Sequence, residues 1–283
     1  MLAPEASRVV AVAGAPGAGR TTAVINLAAA LTAQGKDVLV IDECPGPQSV
    51  CAMLGIARGA GNLATVMSGQ LSLADAARRP ALGYGVIVAS RDNRAPYTGE
   101  QLRRVVEGTG SVILIDADLD DHGALSPLAL HAHDVMIVTR IAALAITETY
   151  ATLKRLHIAH AIGQFRMLSN GVPGATVGDA AIEHLAGVAG RYLGVALQNV
   201  GAITEDPLMA HARRLGRSIV DAFASATAAR DYRSLAAELA YWPLRPALSS
   251  RLPAAAGNKT PTAPRPVGRR ADSPGQQPST QHA

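Results

Sequence analysis

Short runs of apolar residues recur along the chain, and stretches with helical spacing separate them. The runs cover residues 9–13, 38–41, 85–90, 112–115, 135–139, 166–170 and 195–203. Few of them alternate strictly between apolar and polar positions, which is typical of strands buried on both faces of a parallel sheet. We therefore predict a core built from such strands.

Between these runs, apolar residues recur every three to four positions, as on one face of a helix. The first example contains Val24, Leu27, Ala28 and Leu31. Predicted helices cover residues 22–34, 100–107, 147–157, 180–192, 207–215 and 227–242. Strands that alternate with helices predict an α/β fold in three layers, with helices on both faces of a mostly parallel sheet.

Polar or glycine-rich residues follow several of the predicted strands. They are Gly14–Thr21, Asp42, Asp116 and Asn170. Because ligands bind such sheets at the carboxyl ends of the strands, we expect these residues to converge on one crevice.

Composition divides the 283 residues into three parts. Residues 1–7 form a short lead, and residues 8–245 are expected to form one α/β domain. From residue 246 onward, seven prolines stand among Ser, Thr, Gln and Gly, with little that could form a core. We predict that residues 246–283 are a disordered tail.

The net charge of +4 also resides in this tail, which carries five basic residues and one acidic residue. The rest of the chain is neutral, so the charge gives no indication of a nucleic-acid-binding face. Two cysteines, Cys44 and Cys51, are too few for a disulfide framework. The chain has no signal peptide and no apolar run of membrane-spanning length, so we expect a cytoplasmic protein.

The most informative stretch follows the first predicted strand and reads Gly14-Ala15-Pro16-Gly17-Ala18-Gly19-Arg20-Thr21-Thr22. It has the spacing of the phosphate-binding loop G-x-x-x-x-G-K-[ST] and the strand–loop–helix context which that motif requires. Its glycines would let backbone N–H groups face a phosphate, and the helix N-terminus would add a positive dipole end. Predicted nucleotide contacts are Gly14, Gly17, Ala18, Gly19, Arg20, Thr21 and Thr22.

Arg20 stands where the motif has lysine. Arginine keeps the charge, but it is a planar fork and not a compact point charge. Thr21 stands where a hydroxyl binds Mg²⁺, and Asp116 ends a later strand as a Walker B carboxylate would. We therefore predict Thr21 and Asp116 as the metal site. The alternatives are a glycine-rich turn that binds nothing and a vestigial loop that holds nucleotide poorly.

Residues 8–240 resemble the MinD/ParA-type ATPases, a deviant-Walker P-loop family. The resemblance is carried by residues 9–55, 134–150 and 204–207, and by Asn170, which resembles the asparagine that meets adenine. Residues 38–44 and 231–243 are most similar to the FlhG/FleN branch. The resemblance implies a P-loop NTPase-like fold and ATP or ADP with Mg²⁺ as the ligand.

Four positions depart from the family pattern. Ala15 replaces the signature lysine, Arg20 replaces the P-loop lysine, and Cys44 replaces the first-switch aspartate. Residues 117–120, Ala-Asp-Leu-Asp, replace the second-switch glycine motif. Each lost feature supplies charge or positioning for phosphoryl transfer, so we expect little or no hydrolysis. No catalytic residue is assigned, and Arg20 and Asp42 are the candidates.

The resemblance implies a regulator of flagellar number or placement, with antiactivation as its mode of action. Its partners would be a flagellar transcription activator or a flagellar GTPase, and a homodimer is a further expectation. No direct contact with nucleic acid is expected. Contact with the inner membrane face is less favoured than packing for the apolar stripe in residues 227–242, because that helix lacks a lysine-rich polar face.

Three other functions stay open at the level of sequence. A related localisation factor for pili, cellulose or plasmids is separable from the flagellar regulator only by its genomic neighbours, and the remaining two differ in chemistry. One is an active ATPase that dimerises on ATP and positions flagella, pili or another cell-surface apparatus. The other is a small-molecule kinase, since the glycine loop resembles those of nucleotide kinases. A kinase needs an arginine-rich lid, and the arginine pairs at 78–79, 103–104 and 213–214 are expected to be solvated.

Overall fold

The computed structural model describes residues 7–44, 46–56, 61–79, 83–89 and 112–251. One sheet is formed by β1 (Arg8–Gly14), β2 (Val38–Asp42), β3 (Gly85–Val88), β4 (Val112–Asp116), β5 (Asp134–Thr139), β6 (Gln164–Val172) and β7 (Ala196–Thr204). The strand order is β3-β2-β4-β1-β5-β6-β7. All neighbouring strands are parallel. The predicted parallel sheet is confirmed.

The helices are α1 (Arg20–Ala33), α2 (Val50–Met53), α3 (Leu63–Met67), α4 (Leu73–Ala76), α5 (Ala143–His160), α6 (Ala175–Leu193), α7 (Pro207–Arg214), α8 (Ile219–Ala222), α9 (Thr227–Leu239) and α10 (Leu248–Arg251). Short 3-10 helices cover Gly46–Gln48 and Ala129–His131. The helix predicted at 100–107 lies outside the described residues. In the described ranges, none of the helices combines the length and apolarity needed to cross a membrane.

Two helices begin earlier than the sequence pattern predicts. Helix α5 begins at Ala143 instead of 147, and α6 begins at Ala175 instead of 180. Their N-cap residues are Ala142 and Gly174, and neither helix has a side-chain cap. Without a Ser, Thr, Asp or Asn cap, the usual sequence signal for a helix start is missing.

Side chains on alternate positions of β1 enter two separate cores. Val10 and Val12 pack in a cluster that includes the buried residues of α1 and α9. Val9 and Ala11 pack in the other cluster, with residues of α5 and α6. Helices therefore cover both faces of the sheet, which confirms the predicted three-layer α/β/α architecture.

The apolar stripe of α9 lies inside the first of these cores. Tyr232, Leu235 and Leu239 are all buried there. Burial of an amphipathic helix face against α1 removes that face from solvent. In this arrangement the stripe is a packing surface.

The folded region continues beyond the domain boundary predicted at residue 245. Leu248 is buried in the second core, and its backbone N–H donates to the carbonyl of Ala132 at 2.9 Å. A single apolar anchor in a Pro-rich segment is a weak sequence signal, which explains the misplaced boundary. Residues 252–283 lie outside the described residues, so disorder there stays a prediction.

At the amino-terminal edge of the sheet, three arginines surround one buried carboxylate. Arg166 is fully buried, and its Nε donates to Asp134 Oδ1 at 2.9 Å. Arg245 Nη1 and Arg8 Nη1 lie 3.3 and 3.7 Å from the oxygens of Asp134. The guanidinium of Arg166 also lies 3.9 Å from the ring centre of Trp242. These contacts fasten the segment after α9 to the first residues of β1, β5 and β6.

Replacing Asp134 with asparagine should destabilise the fold strongly, because three buried or half-buried guanidinium groups would lose their shared counter-charge. Removing one partner of a buried ion pair costs about 3–5 kcal/mol. Urea unfolding followed by circular dichroism measures this change. The matched control is Asp179→Asn, since Asp179 is an exposed carboxylate that accepts one hydrogen bond from Asn199. A similar loss in both variants would contradict the role assigned to Asp134.

Candidate nucleotide-binding site

The loop between β1 and α1 has the backbone shape of a phosphate cradle. Gly17 and Gly19 have φ values of 77° and 91°, in the left-handed region that favours glycine. A Cβ on Gly14 would lie 2.6 Å from the carbonyl oxygen of Val138, so no larger residue fits there. Helix α1 has no side-chain cap and no acidic residue in its first turn. Its N-terminal N–H groups are therefore suited to an anion.

Asn170 supports this loop from β6. Its amide nitrogen donates to the carbonyl of Ala18 at 2.8 Å. A Cβ on Gly19 would lie 2.1 Å from the same nitrogen, so this close approach also requires glycine. Asn170 was predicted as an adenine contact, and here its amide group holds the loop backbone.

Arg20 does not extend freely into solvent but folds back onto β4. Its Nε donates to Asp116 Oδ1 at 2.6 Å, and its Nη2 contacts Cys44 Sγ at 2.9 Å. Thr21 Oγ1 donates to the other carboxylate oxygen of Asp116 at 2.7 Å. The structure thus brings together three predicted site residues and Cys44, the residue at which the resemblance implied a first-switch aspartate.

The charge on Arg20 is stabilised by this arrangement. Burial lowers the pKa of Arg20, but the nearby carboxylate of Asp116 and the hydrogen bond to it outweigh burial and raise the pKa above its ordinary value. Burial raises the pKa of the Cys44 thiol, and the guanidinium offsets only part of that shift. Burial also raises the pKa of Asp116, against the opposing effects of Arg20 and Thr21. Cys44 is therefore a neutral thiol beside the Arg20–Asp116 pair.

Two further buried carboxyl groups lie at the end of β2, next to Asp116 in register. Asp42 accepts hydrogen bonds from the backbone N–H groups of Cys44 and Cys51 at 3.1 and 3.3 Å. Burial and the charge of Asp116 raise the pKa of Asp42 to about 6. Asp42, a candidate for catalysis, is fully buried and holds the loop that follows β2.

Glu43 is a site residue that sequence reasoning missed. Its Oε1 accepts a hydrogen bond from Ser126 at 2.5 Å, and its Oε2 accepts one from the backbone N–H of Asp118 at 3.3 Å. Burial raises the pKa of Glu43 to about 7, although these hydrogen bonds lower it. The signal in the sequence was a second carboxylate directly after a buried strand.

A crevice of about 990 Å³ lies in front of the loop. Gly14, Gly17, Gly19, Arg20, Thr21 and Thr22 line it, whereas Ala18, Asp42, Asp116 and Asn170 are not among its lining residues. The described cations on its walls are Arg20, Arg155 from α5 and Arg213 from α7. Arg213 was expected to be solvated and Arg155 was not singled out, because their positions on the crevice wall depend on how α5 and α7 pack.

The predicted metal site does not fit Mg²⁺ in this arrangement. One carboxylate oxygen of Asp116 is taken by Arg20 and the other by Thr21, the second predicted ligand. A divalent cation near Asp116 would also face the guanidinium of Arg20. Within the described ranges, no group of three or more His, Cys, Asp or Glu side chains is arranged to hold a metal ion.

Comparison with known proteins gives one curated relative and many structural neighbours. No family model matches the sequence. The chain is similar to the antiactivator FleN of Pseudomonas aeruginosa, with 26% identity over 246 residues that cover 84% of this chain and 88% of the relative.

Solved structures share the fold at lower identity. A chain of the MinC:MinD cell division protein complex of Aquifex aeolicus has a TM-score of 0.67 at 19% identity, covering 84% of this chain and 97% of that one. MinD of Pyrococcus horikoshii, complexed with Mg-ADP, has a TM-score of 0.62 at 20% identity, and the match covers 82% of this chain and 96% of MinD. An ATP complex of McdA from Cyanothece has a TM-score of 0.60 at 16% identity, and the match covers 84% of this chain and 98% of McdA.

The contribution of Glu43 to stability should be lost as the pH rises from 5 to 8, so Glu43→Gln should shift the pH dependence of stability toward a smaller fall or a larger rise. The folded-state pKa of Glu43, about 7, lies above its ordinary value of 4.5, so the folded state holds an extra proton between these values. The stabilisation that such a group contributes is fully present below its pKa in the unfolded state. It is lost as the pH rises through its pKa in the folded state.

Thermal unfolding at several pH values measures this dependence. Glu183→Gln, on the exposed side of α6, is the matched control and should keep the wild-type slope. Equal slopes in all three proteins would contradict the assignment of Glu43 as a buried, protonated group near neutral pH.

Proposed function

On the premise that this chain is a MinD/ParA-type protein of the FlhG/FleN branch, we propose that it regulates flagellar number or placement by binding proteins. The proposed mode of action is antiactivation, which is the activity named for its Pseudomonas relative. The favoured target is a flagellar transcription activator in the cytoplasm, and a flagellar GTPase is the second partner to be tested.

The observation that carries this proposal is a retained cradle whose catalytic charges are gone or engaged elsewhere. Gly17 and Gly19 keep the loop conformation, and the N-terminus of α1 is uncapped. The family's two lysine positions hold Ala15 and Arg20, and Arg20 is bound to Asp116. Cys44 is a neutral thiol that cannot act as a general base as a carboxylate would. We propose that the site holds ATP or ADP weakly, or as a switch, with little or no hydrolysis.

Exposed apolar side chains at the carboxyl edge of the sheet support a role in protein binding. Leu144, Val177 and Leu208 lie in the first turns of α5, α6 and α7, which follow β5, β6 and β7. Their exposed fractions are 71%, 48% and 36%. These first turns stand at the carboxyl edge of the sheet, the edge that carries the glycine loop. Apolar side chains left in solvent at one edge are typical of a protein-binding surface.

ATP turnover should stay at the level of a protein-free control, and Arg20→Ala should leave it unchanged. The physical reason is that no described lysine lines the crevice, and that Arg20, which stands in place of the P-loop lysine, is bound to Asp116. A coupled phosphate-release assay with saturating ATP and Mg²⁺ measures turnover. Turnover typical of an active relative, abolished by Arg20→Ala, would instead favour the alternative, an ATPase that positions flagella, pili or another apparatus.

That alternative also predicts a dimer in the presence of ATP. Light scattering with saturating ATP and Mg²⁺ distinguishes the two proposals. A monomer under these conditions counts against the ATPase switch and leaves the antiactivator proposal standing.

Leu144→Ser should weaken binding to the flagellar transcription activator of the same genome by about tenfold or more, as loss of a buried apolar anchor at an interface does. Titration calorimetry with the purified activator measures this affinity. Ile158→Ser is the matched control, because Ile158 is also 71% exposed but lies at the other end of α5. Full binding by Leu144→Ser, or equal loss in both variants, would contradict a docking surface at the carboxyl edge of the sheet.

A further inference from the structure

The guanidinium of Arg20 stands between the crevice and the carboxylate of Asp116. Asp116 is fully buried and does not line the crevice, whereas Arg20 does. The Arg20 side chain is 16% exposed. A ligand in the crevice therefore meets the positive charge of Arg20 before it meets the negative charge of Asp116.

The fork shape of arginine lets one side chain face two partners. Its Nε is bound to Asp116 and its Nη2 contacts Cys44. The Nη1 group makes no hydrogen bond to any other residue in the described part of the chain. A guanidinium has five N–H donors, so donors stay available for an anion while the contact with Asp116 is kept.

Two carboxylates, Asp118 and Asp120, line the crevice with Arg20, and Asp120 Oδ1 accepts the backbone N–H groups of His122 and Ala124 at 2.9 and 2.8 Å. Three further carboxyl groups lie deeper and are engaged by the protein. Thr21 and Arg20 occupy both oxygens of Asp116. Asp42 accepts two backbone N–H groups, and Glu43 accepts Ser126 and a backbone N–H. Both oxygens of Asp116 are thus occupied, and none of these three carboxyl groups lines the crevice from which a divalent cation would enter.

We propose that Arg20 replaces Mg²⁺ as the positive charge of this site, so that the loop takes up nucleoside di- or triphosphate that is not complexed with metal. This inference rests on the nucleotide binding included in the proposed function. The backbone N–H groups of the loop hold the phosphates, and the tethered guanidinium neutralises part of their charge. Arginine to phosphate contacts are charge-assisted and need no bridging ion.

Calorimetric titration with ATP and with ADP tests the proposal, each in EDTA and in excess Mg²⁺. The wild-type protein should bind as tightly in EDTA as in Mg²⁺, or more tightly. Arg20→Lys should reverse the preference and bind at least tenfold more tightly with Mg²⁺, since a compact ammonium releases Asp116 for the metal. Arg191→Lys, an exposed position near the end of α6, is the matched control and should behave as wild type.

Electron paramagnetic resonance of Mn²⁺ gives a second readout that does not depend on turnover. With saturating ATP, the wild-type protein should add no protein-bound Mn²⁺ signal to that of Mn-ATP, whereas Arg20→Lys should. Circular dichroism of each variant verifies folding.

The possible failures are distinguishable. Binding that requires Mg²⁺ in the wild-type protein would overturn this inference and leave the proposed function intact. The absence of binding in both buffers would overturn the inference together with the nucleotide part of the proposed function. The activator titration would then still decide the antiactivator part.

Discussion

The parallel pairing of β4 with β1 and β2 is the constraint from which the site follows. Its register places Asp116 beside Val12 on one side and beside Asp42 on the other. Because β1 continues into the glycine loop, the same register brings Thr21 and Arg20 within hydrogen-bond distance of Asp116. A shift of one residue along β4 would turn this carboxylate to the opposite face of the sheet.

Buried charge is handled differently at the two edges of the sheet. At the carboxyl edge, three buried carboxyl groups, Asp42, Glu43 and Asp116, accompany Arg20, which pairs with Asp116. Burial raises the pKa values of Asp42 and Glu43 toward neutrality. At the amino edge the balance is reversed, because Arg8, Arg166 and Arg245 share Asp134. The first edge is suited to exchange of ligands, whereas the second fastens the chain after α9 to the body of the sheet.

The chemistry of the site depends on the side chains at each position of the loop as well as on the conformation of its backbone. The loop keeps its positive φ values at Gly17 and Gly19, so its backbone can face an anion. Arg20 reaches Asp116 and Cys44 together, which a lysine ammonium could not do with the same planar geometry. Fold and chemistry are therefore separate matters here: the fold is shared with the solved neighbours, whereas the chemistry depends on the side chains that occupy the loop.

Sequence by itself determined the layers, the polar residues at the ends of the strands and the glycine loop. The reason is local: apolar runs report burial on both faces, and glycine spacing reports a backbone conformation that other residues do not reach. Sequence also placed Gly14, Thr21, Asp116 and Asn170 at one edge. It misplaced the starts of α5 and α6, whose caps have no polar side chain, and the end of the folded region at Leu248.

Only the tertiary structure decided how the side chains of the site are used. Arg20 and Asp116 are 96 residues apart, Glu43 and Ser126 are 83 apart, and Asn170 and Ala18 are 152 apart. No local pattern reports such contacts, because they depend on register, on helix packing and on which oxygen each donor reaches. The sequence shows that Arg20 stands where the loop motif has lysine. The contact of its side chain with Asp116 is known only from the fold.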